Sequence, residues 1–430
     1  MKKMRKMGLM LGMVFILFLL ETPFSDGRDL DDFWTRFHPY ITVQEEYNSN
    51  INLTPTNRKD DFITTISPGI KFSNTNQHYG LDLDYHLGFV FYAKGHEKND
   101  NYVSMAGSLN AWYTPAQGLT FHVRDSLTRS DEAREREYSA TALEGQYLLA
   151  TTRERVTYFR NVFEPSAEYQ FGKEDRFSVQ YRNNIYEVQS RRFEDSQENF
   201  ISPKLTYWFD IRNGISLEYG LTLGNFDRSP DLTGHMATGR FTHRFNPRTS
   251  IFGEYTFLRR DFKSPSVDYD VQRPTFGIEH AFSPTLSGRA QAGYFWEKPE
   301  KGPKMKGPSY DMSLTQRAEK TTYTLSYQGG YTEDYFTAEN LGFNKYQRAI
   351  GTITHRLLER MNVGLFGSLE RAKFGDGRID RIWGIGGNTS YLVLKWLTVS
   401  LEASHRKNQS NIDQLDYSEY RGIFRITASF

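Results

Sequence analysis

From about residue 39 to its last residue, this chain repeats short segments in which apolar and polar side chains alternate one by one. Leu81, Leu83, Tyr85, Leu87, Phe89 and Phe91 alternate with Asp82, Asp84 and His86. Leu217, Tyr219, Leu221 and Leu223 oppose Ser216, Glu218 and Thr222, and Leu397, Val399, Leu401 and Ala403 oppose Thr398, Ser400, Glu402 and Ser404. A period of two is the mark of a β-strand whose two faces meet different environments. Each of these strands has one apolar face, and nothing else in the chain could cover so many of them. Lipid could. A sheet in lipid must pair every backbone group, so it has to close on itself. A secreted sandwich or propeller is the soluble alternative. It would need two-sided cores or a signed repeat of about 40–50 residues, and the chain shows neither.

Composition fits the same picture. Mean hydropathy is −0.64, yet the chain carries 27 Tyr, 32 Phe and 6 Trp. A membrane barrel combines a polar lumen and loops with an apolar belt and aromatic girdles, which needs this mixture. No apolar run beyond residue 28 approaches the roughly twenty residues of a membrane helix. Formal net charge is +1, which speaks against a nucleic-acid partner, since that function calls for a basic excess.

Tight turns divide the repeats: Asn74-Thr75-Asn76-Gln77, Thr114-Pro115-Ala116-Gln117-Gly118, Gly172-Lys173-Glu174-Asp175 and Asp210-Ile211-Arg212-Asn213-Gly214 in the first half. Asn246-Pro247-Arg248, Ser283-Pro284, Arg317-Ala318-Glu319-Lys320, Leu357-Leu358-Glu359-Arg360 and Val393-Leu394-Lys395 follow. Gly, Asn and Pro supply the dihedrals that many of these turns demand. Nine turns join eighteen strands. One more strand near Pro39–Asn50 and a last one near Tyr417–Phe430 predict about 20, with 18 as the main alternative. The expectation is an all-β, antiparallel up-and-down transmembrane β-barrel. An even count puts both termini on the side of the short turns, the periplasmic side in this class.

At the start, Lys2, Lys3, Arg5 and Lys6 precede an apolar core from Gly8 to Leu20. That core is too short to span a bilayer, and a polar stretch follows at once. Residues 1–27 therefore read as a cleaved secretory signal and 28–430 as one barrel domain. Ser25 and Gly27 are the small residues of the cleavage site, and a retained N-terminal anchor is the alternative. With no cysteine in the chain there is no lipidation site, and the absence suits an oxidising compartment.

The closing strand alternates Tyr420, Gly422, Phe424, Ile426, Ala428 and Phe430 with mostly polar residues. A terminal Phe on the apolar face resembles the C-terminal signature that the barrel assembly machinery of the bacterial outer membrane reads, which implies a Gram-negative outer-membrane location. The stretch from Pro39-Tyr40-Ile41 through Tyr47-Asn48-Ser49-Asn50-Ile51 to Asp61-Phe62-Ile63 and Ser67-Pro68-Gly69-Ile70 resembles the opening of the putative β-barrel porin 2 family. The later strand–turn units with Pro, as in Asn246-Pro247, and the closing Glu419-Tyr420-Arg421 are similar to it as well. The family commonly has Asp where this chain has Ser49. The resemblance implies an outer-membrane barrel, often linked to exopolysaccharide gene clusters, that conducts polymer together with a periplasmic polysaccharide export protein. It implies no catalytic residue.

The face opposite the apolar belt would line the lumen. Arg124, Glu218, Arg240, Arg244, Glu254, Glu279, Arg289, Arg421 and Arg425 are the candidate pore-lining residues. Mixed signs predict a hydrated, weakly selective lumen, while pairing across strands would make the same charges a brace. Arg240 and Arg244, between Glu218 and Glu254, are the best candidate ladder. Tyr158, Trp208 and Phe295 fall on the same face and could stack on sugar rings or fill space. Ten histidines show no metal-ligand spacing and there is no G-x-S-x-G elbow. No catalytic, metal or cofactor-binding residue is expected, and the chain reads as a non-enzyme. The longest loop, from 130 to 155, has helix-favouring Ala, Glu and Arg; it either narrows the barrel mouth or stays at the surface.

These observations favour a conduit for polysaccharide or another hydrophilic solute over a structural or adhesive barrel acting through its loops. An outer-membrane enzyme is a weaker alternative. A plugged transporter or a fatty-acid transporter would need an N-terminal plug or hatch before the first strand, and the barrel is expected to start within about a dozen residues of the cleavage site.

Overall fold

Alternation is realised along the whole wall. The computed structural model describes residues 36–95, 101–132, 155–264, 266–337 and 339–430. The expected signal at 1–27 lies outside them. Twenty strands follow one another: β1 (Phe37–Asn48), β2 (Asp61–Thr75), β3 (Tyr79–Tyr92), β4 (Asn101–Ala116), β5 (Leu119–Ser130), β6 (Tyr158–Gln170) and β7 (Arg176–Val188). Then come β8 (Ser196–Trp208), β9 (Asn213–Phe226), β10 (Leu232–Asn246), β11 (Thr249–Phe262), β12 (Tyr269–Ala281), β13 (Leu286–Pro299) and β14 (Lys306–Arg317). The wall ends with β15 (Thr321–Asp334), β16 (Gly342–Leu358), β17 (Met361–Phe374), β18 (Ile379–Leu394), β19 (Leu397–Ser410) and β20 (Tyr417–Ser429). One 3-10 turn, Asp413–Leu415, precedes the last strand.

Each strand pairs antiparallel with its sequence neighbours, and β20 pairs with β1 from Tyr40↔Ser429 to Asn48↔Arg421. The sheet is thus a closed barrel of twenty strands, with no edge left open. The terminal Phe430 seals that seam: its N–H donates to the Pro39 carbonyl at 2.9 Å, and its ring stacks on Trp396.

The two ends of the barrel differ. All nine turns read from the sequence lie at the end where β1 begins and β20 finishes, and span two to five residues. The other end carries the longer loops. Asp210 shows why the short turns hold: its carboxylate accepts from the Arg212 and Asn213 N–H groups and the Asn213 side chain, and these bonds keep it below the usual carboxylate range. Strands of 12 to 17 residues exceed the roughly 9–11 needed to cross a bilayer, so their long-loop ends stand clear of any apolar belt.

The outer face is an apolar belt. Leu325, Leu365, Leu369, Ile385 and Leu401 are all more than half exposed. Near the short turns it becomes aromatic, with Phe171, Phe209, Phe245, Phe282 and Trp396. His243 and His280 sit in that girdle, edge-on to Phe245 and Phe282 and bonded to Asn213 and Thr249.

One hairpin leaves the wall. β15 stays paired with β16 to Asp334↔Gly342, but its pairing with β14 stops at Tyr310↔Gly329, although β14 runs on beside β13 to Lys306. Above this point the hairpin tucks behind β14 into the barrel. Gly330 sits at the departure with φ +153, a conformation that favours glycine. A Cβ on Gly329 would meet the Tyr310 ring at 2.4 Å, so the parting also needs a bare backbone there.

Candidate lumen and its constriction

In a closed wall, a side chain can reach beyond its neighbouring strands only on the concave side. Arg244 of β10 does so: its guanidinium makes two hydrogen bonds with Glu174 in the β6–β7 turn, at 2.9 and 2.7 Å, and these hold the Glu174 carboxyl low. Arg260 of β11 likewise reaches Glu333 of β15. Register carries the same face to Arg240↔Glu254 and Thr238↔Glu218.

The candidate pore-lining residues are therefore on the inner face, and most are paired. Arg240 lies 3.1 Å from Glu254, which also faces Arg273 at 3.9 Å. Glu218 turns the other way, to Lys204 at 3.6 Å and Ser202 at 2.9 Å. The expected ladder thus splits: Arg240 keeps Glu254, but the register sets Glu218 opposite Thr238, six residues along β10 from Arg244. Arg289 stands 3.8 Å from Glu279. Arg425 meets Glu402 at 3.5 Å and Gln44 at 2.6 Å. Arg421 is buried between Glu46 and Glu132. Arg124 stands opposite Asn110 and Glu164. Cross-strand pairing follows the register, as opposite charges facing each other are favoured.

The tucked hairpin builds a second core inside the barrel. Residues whose parity would place them outside, Tyr331, Glu333 and Phe343, instead face the inner surface of β11, β12 and β13. There Leu258, Tyr269, Val271, Phe295 and Phe343 form a buried cluster, with Phe262, Met305, Tyr331 and Tyr335 packed on it. Burying such side chains contributes roughly 1.5–3 kcal/mol each. At its centre Glu333 accepts two bonds from Arg260, at 3.1 and 2.7 Å, and one from the Tyr269 hydroxyl. Both charged side chains are about one-eighth exposed (12% and 14%). Gly234, opposite Arg260 in the register, leaves the space the guanidinium fills, since a Cβ there would come within 2.2 Å of it.

The hairpin tip carries on across the mouth. Tyr335 bonds the Tyr269 hydroxyl at 2.8 Å, and burial pushes the Tyr335 phenol up. Phe336 stacks on Phe226 of β9 at 5.4 Å, six strands away from β15. Asn340 donates to the Ser229 hydroxyl at 3.0 Å, and Ser229 donates in turn to Glu194 at 2.7 Å. Glu339 faces Arg378 of the β17–β18 loop at 3.9 Å. The β15–β16 tip is thus a strap tied to the β9–β10, β7–β8 and β17–β18 ends of the wall.

A smaller inward fold lies across from it. Ile51 of the β1–β2 loop packs with Ile63 and Val90, against Tyr92 and Tyr102, and Arg155 bonds the Ile51 carbonyl, Tyr92 and Asp131. The Asn48-Ser49-Asn50 stretch has a structural role here: buried Asn50 holds the Thr54 and Ser418 carbonyls, and Asn48 holds Glu419.

Of the two roles open to the inward rings Tyr158, Trp208 and Phe295, filling space is the one they take. Tyr158 is stacked on Tyr186 and Phe295 lies under the hairpin, both almost fully buried, while Arg244 covers Trp208 at 3.6 Å. None of these rings offers a free face to a sugar, because each was recruited to packing. Most of the 130–155 loop (133–154) lies outside the described residues. Among the described residues the strap comes from β15–β16, where the sequence shows little sign of it: Glu333 continues the alternation of β15, Phe336 and Asn340 sit in an ordinary loop, and only the adjacent Gly329-Gly330 pair hints at a departure.

A family model described as putative β-barrel porin 2 matches residues 203–430, from within β8 to the last residue. The chain belongs to that family. The matched part is the strand–turn repeat and the closing strand; the opening segment 39–70 lies ahead of it. No curated protein matches. Solved structures with the same architecture include a ferric enterobactin receptor of Pseudomonas aeruginosa in complex with enterobactin (9% identity, TM-score 0.52, 92% of this chain and 81% of that one). The siderophore receptor PirA of the same organism is similar at 9% identity and TM-score 0.50, over 92% and 80%. The outer membrane protein opdK, also from Pseudomonas aeruginosa, aligns over 92% and 99% at 9% identity with TM-score 0.44. At these identities the likeness to the two receptors is one of fold alone, a β-barrel, which agrees with the porin family to which the chain belongs.

Proposed function

We propose that this porin-family barrel is a passive outer-membrane conduit for a hydrophilic solute, with polysaccharide export as its task. Its long-loop end faces the cell exterior and its termini the periplasm. The observation that carries the reading is the inner wall: ion pairs and amides line a closed barrel of a strand number that leaves an aqueous channel, and a tied strap narrows its mouth. Mixed charge gives weak ion preference, which suits a long neutral or mildly charged polymer. A periplasmic polysaccharide export protein would hand the polymer to the short-turn end, and Phe430 would serve the assembly machinery as its recognition residue. No nucleic acid, cofactor or catalytic step is part of this reading.

Planar-bilayer recording of the refolded full chain tests it. Stable conductance that is reduced by added exopolysaccharide is the expected result. A closed, silent barrel would overturn it and favour an adhesive role through the loops.

A further inference from the structure

The departing hairpin leaves a notch in the outer wall. Where β15 withdraws, β14 and β16 flank a cleft of about 290 Å³ lined by Phe295, Gly307, Pro308, Tyr310, Gly330 and Tyr346, with Lys345, Arg371 and Lys373 at its side. Lys345 spans the gap, its ammonium donating to the Lys306 carbonyl of β14 at 2.9 Å.

These cations share the outward face. Leu369 is 63% exposed, and Arg371 and Lys373 follow it on the same side of β17; Glu370 points inward to Arg348. Lys345 stands directly opposite Lys373, and Arg371 opposite Arg381. Like charges facing each other across strands are destabilising, and on the long-loop halves of β14 and β16 to β19 no Asp or Glu takes an outward position. Elsewhere the same end is balanced: outward Arg259 of β11 has Asp261 at 2.7 Å and Asp270 at 3.5 Å.

We propose that this notch binds the phosphorylated headgroup of a lipid in the leaflet at the long-loop end. Uncompensated cations at two directly opposed positions call for an anion from outside the chain. Continuity with the exposed belt through Leu369 and Ile385 calls for an amphiphile, with its phosphate at the cations and its acyl chains on the leucines below. Arginine and lysine side chains suit phosphate oxygens. The inference rests on the reading that this wall spans a membrane with its long loops outward.

The test uses the full barrel purified in detergent, given a phosphorylated glycolipid or its dephosphorylated form, and examined by native mass spectrometry. The wild type should hold the phosphorylated lipid, and R371Q/K373Q should hold it about thirtyfold less, at roughly a kcal/mol per lost cation. A control pair at the short turns, R248Q/K395Q, should keep full binding. Both altered residues in the test pair are exposed, so folding, checked by heat-modifiable mobility, should be unchanged. Equal retention by R371Q/K373Q, equal binding of the dephosphorylated lipid, an equal loss in the control pair, or displacement by millimolar inorganic phosphate would each overturn the site. Orientation is read separately: the chain has no cysteine, so K301C can be labelled in intact cells with an impermeant maleimide. Labelling supports the outer leaflet. Its failure overturns the orientation and the leaflet, while the detergent result still decides the lipid site.

Discussion

Two Arg–Glu ion pairs inside the barrel are alike in chemistry and differ in what they do. Arg289–Glu279 joins neighbouring strands at 3.8 Å, with side chains 40% and 45% exposed. Arg260–Glu333 joins β11 to β15 across three intervening strands, is bidentate, and is largely dry. An exposed pair contributes about 0–1 kcal/mol. A buried pair is of little net worth against an apolar replacement, yet losing one partner costs about 3–5 kcal/mol, because the other charge stays buried alone. The first pair braces a wall that backbone bonds already hold. The second fixes where a loop sits, and on the proposed reading that loop sets the width of the mouth.

Removing Glu333 should therefore have the largest effect. Glu333→Ala strands the Arg260 guanidinium and is expected to cost about 3–5 kcal/mol of hairpin docking, freeing the strap. Single-channel conductance should rise and become noisy, while the barrel itself survives as a heat-modifiable band. The double variant R260M/E333L should restore the narrow, quiet state, since an apolar pair can replace a buried ionic one. Unchanged conductance in Glu333→Ala would mean the strap does not limit flow.

Phe336→Ala comes next. It removes the stack on Phe226 but leaves the Arg260 anchor, at a cost of about 1–3 kcal/mol. Protease cleavage within 335–341 should accelerate, with a smaller gain in conductance than for Glu333→Ala. A gain as large as that of Glu333→Ala would shift control of the mouth from the buried anchor to the tip.

The strap should also respond to acid. Burial alone would raise the Glu194 carboxyl, but the Ser229 hydroxyl and the Ser229 and Arg228 N–H groups outweigh it, leaving it below its ordinary 4.5. A group depressed in this way stabilises the fold above its unfolded value and loses that contribution as pH falls through the folded one. Conductance should hold steady near neutrality and rise only once pH has fallen below the ordinary carboxyl value of 4.5. Glu194→Gln should show the open level already at pH 7. A rise beginning near pH 6 in the wild type would point instead to a histidine.

The wall was legible because alternation is a local signal. Leu217, Tyr219 and Leu221 state their face without help from any distant residue, and every turn that was read stands between the strands it was expected to join. Register then brings Arg240 beside Glu254 with no further information. The strap was not legible, because its logic is long-range. Tyr331 and Glu333 continue the alternation of β15 without a break, so their parity assigns them to the outside; only the loss of pairing at Gly329 turns that face toward Phe295 and Arg260. The same event recruits Phe295, read as a possible sugar platform, into a core. Arg244 shows the effect on a smaller scale: parity places it inward, but its partner Glu174 lies in a turn three strands back.

The smallest expected effect sharpens the contrast from the other side. Glu279→Gln leaves Arg289 half exposed to the lumen, where water can solvate it, so stability should change by less than about 1 kcal/mol. One uncompensated, half-exposed cation on the inner wall should shift ion preference slightly toward anions and leave conductance within the wild-type range. Reversal-potential measurement in a salt gradient reads that shift directly, and high salt should erase it, because exposed charges beyond about 8–10 Å are screened at physiological ionic strength. If Glu279→Gln instead widened the channel as Glu333→Ala does, Arg289–Glu279 would belong with the anchoring pairs, and exposure would not be what separates a brace from a latch.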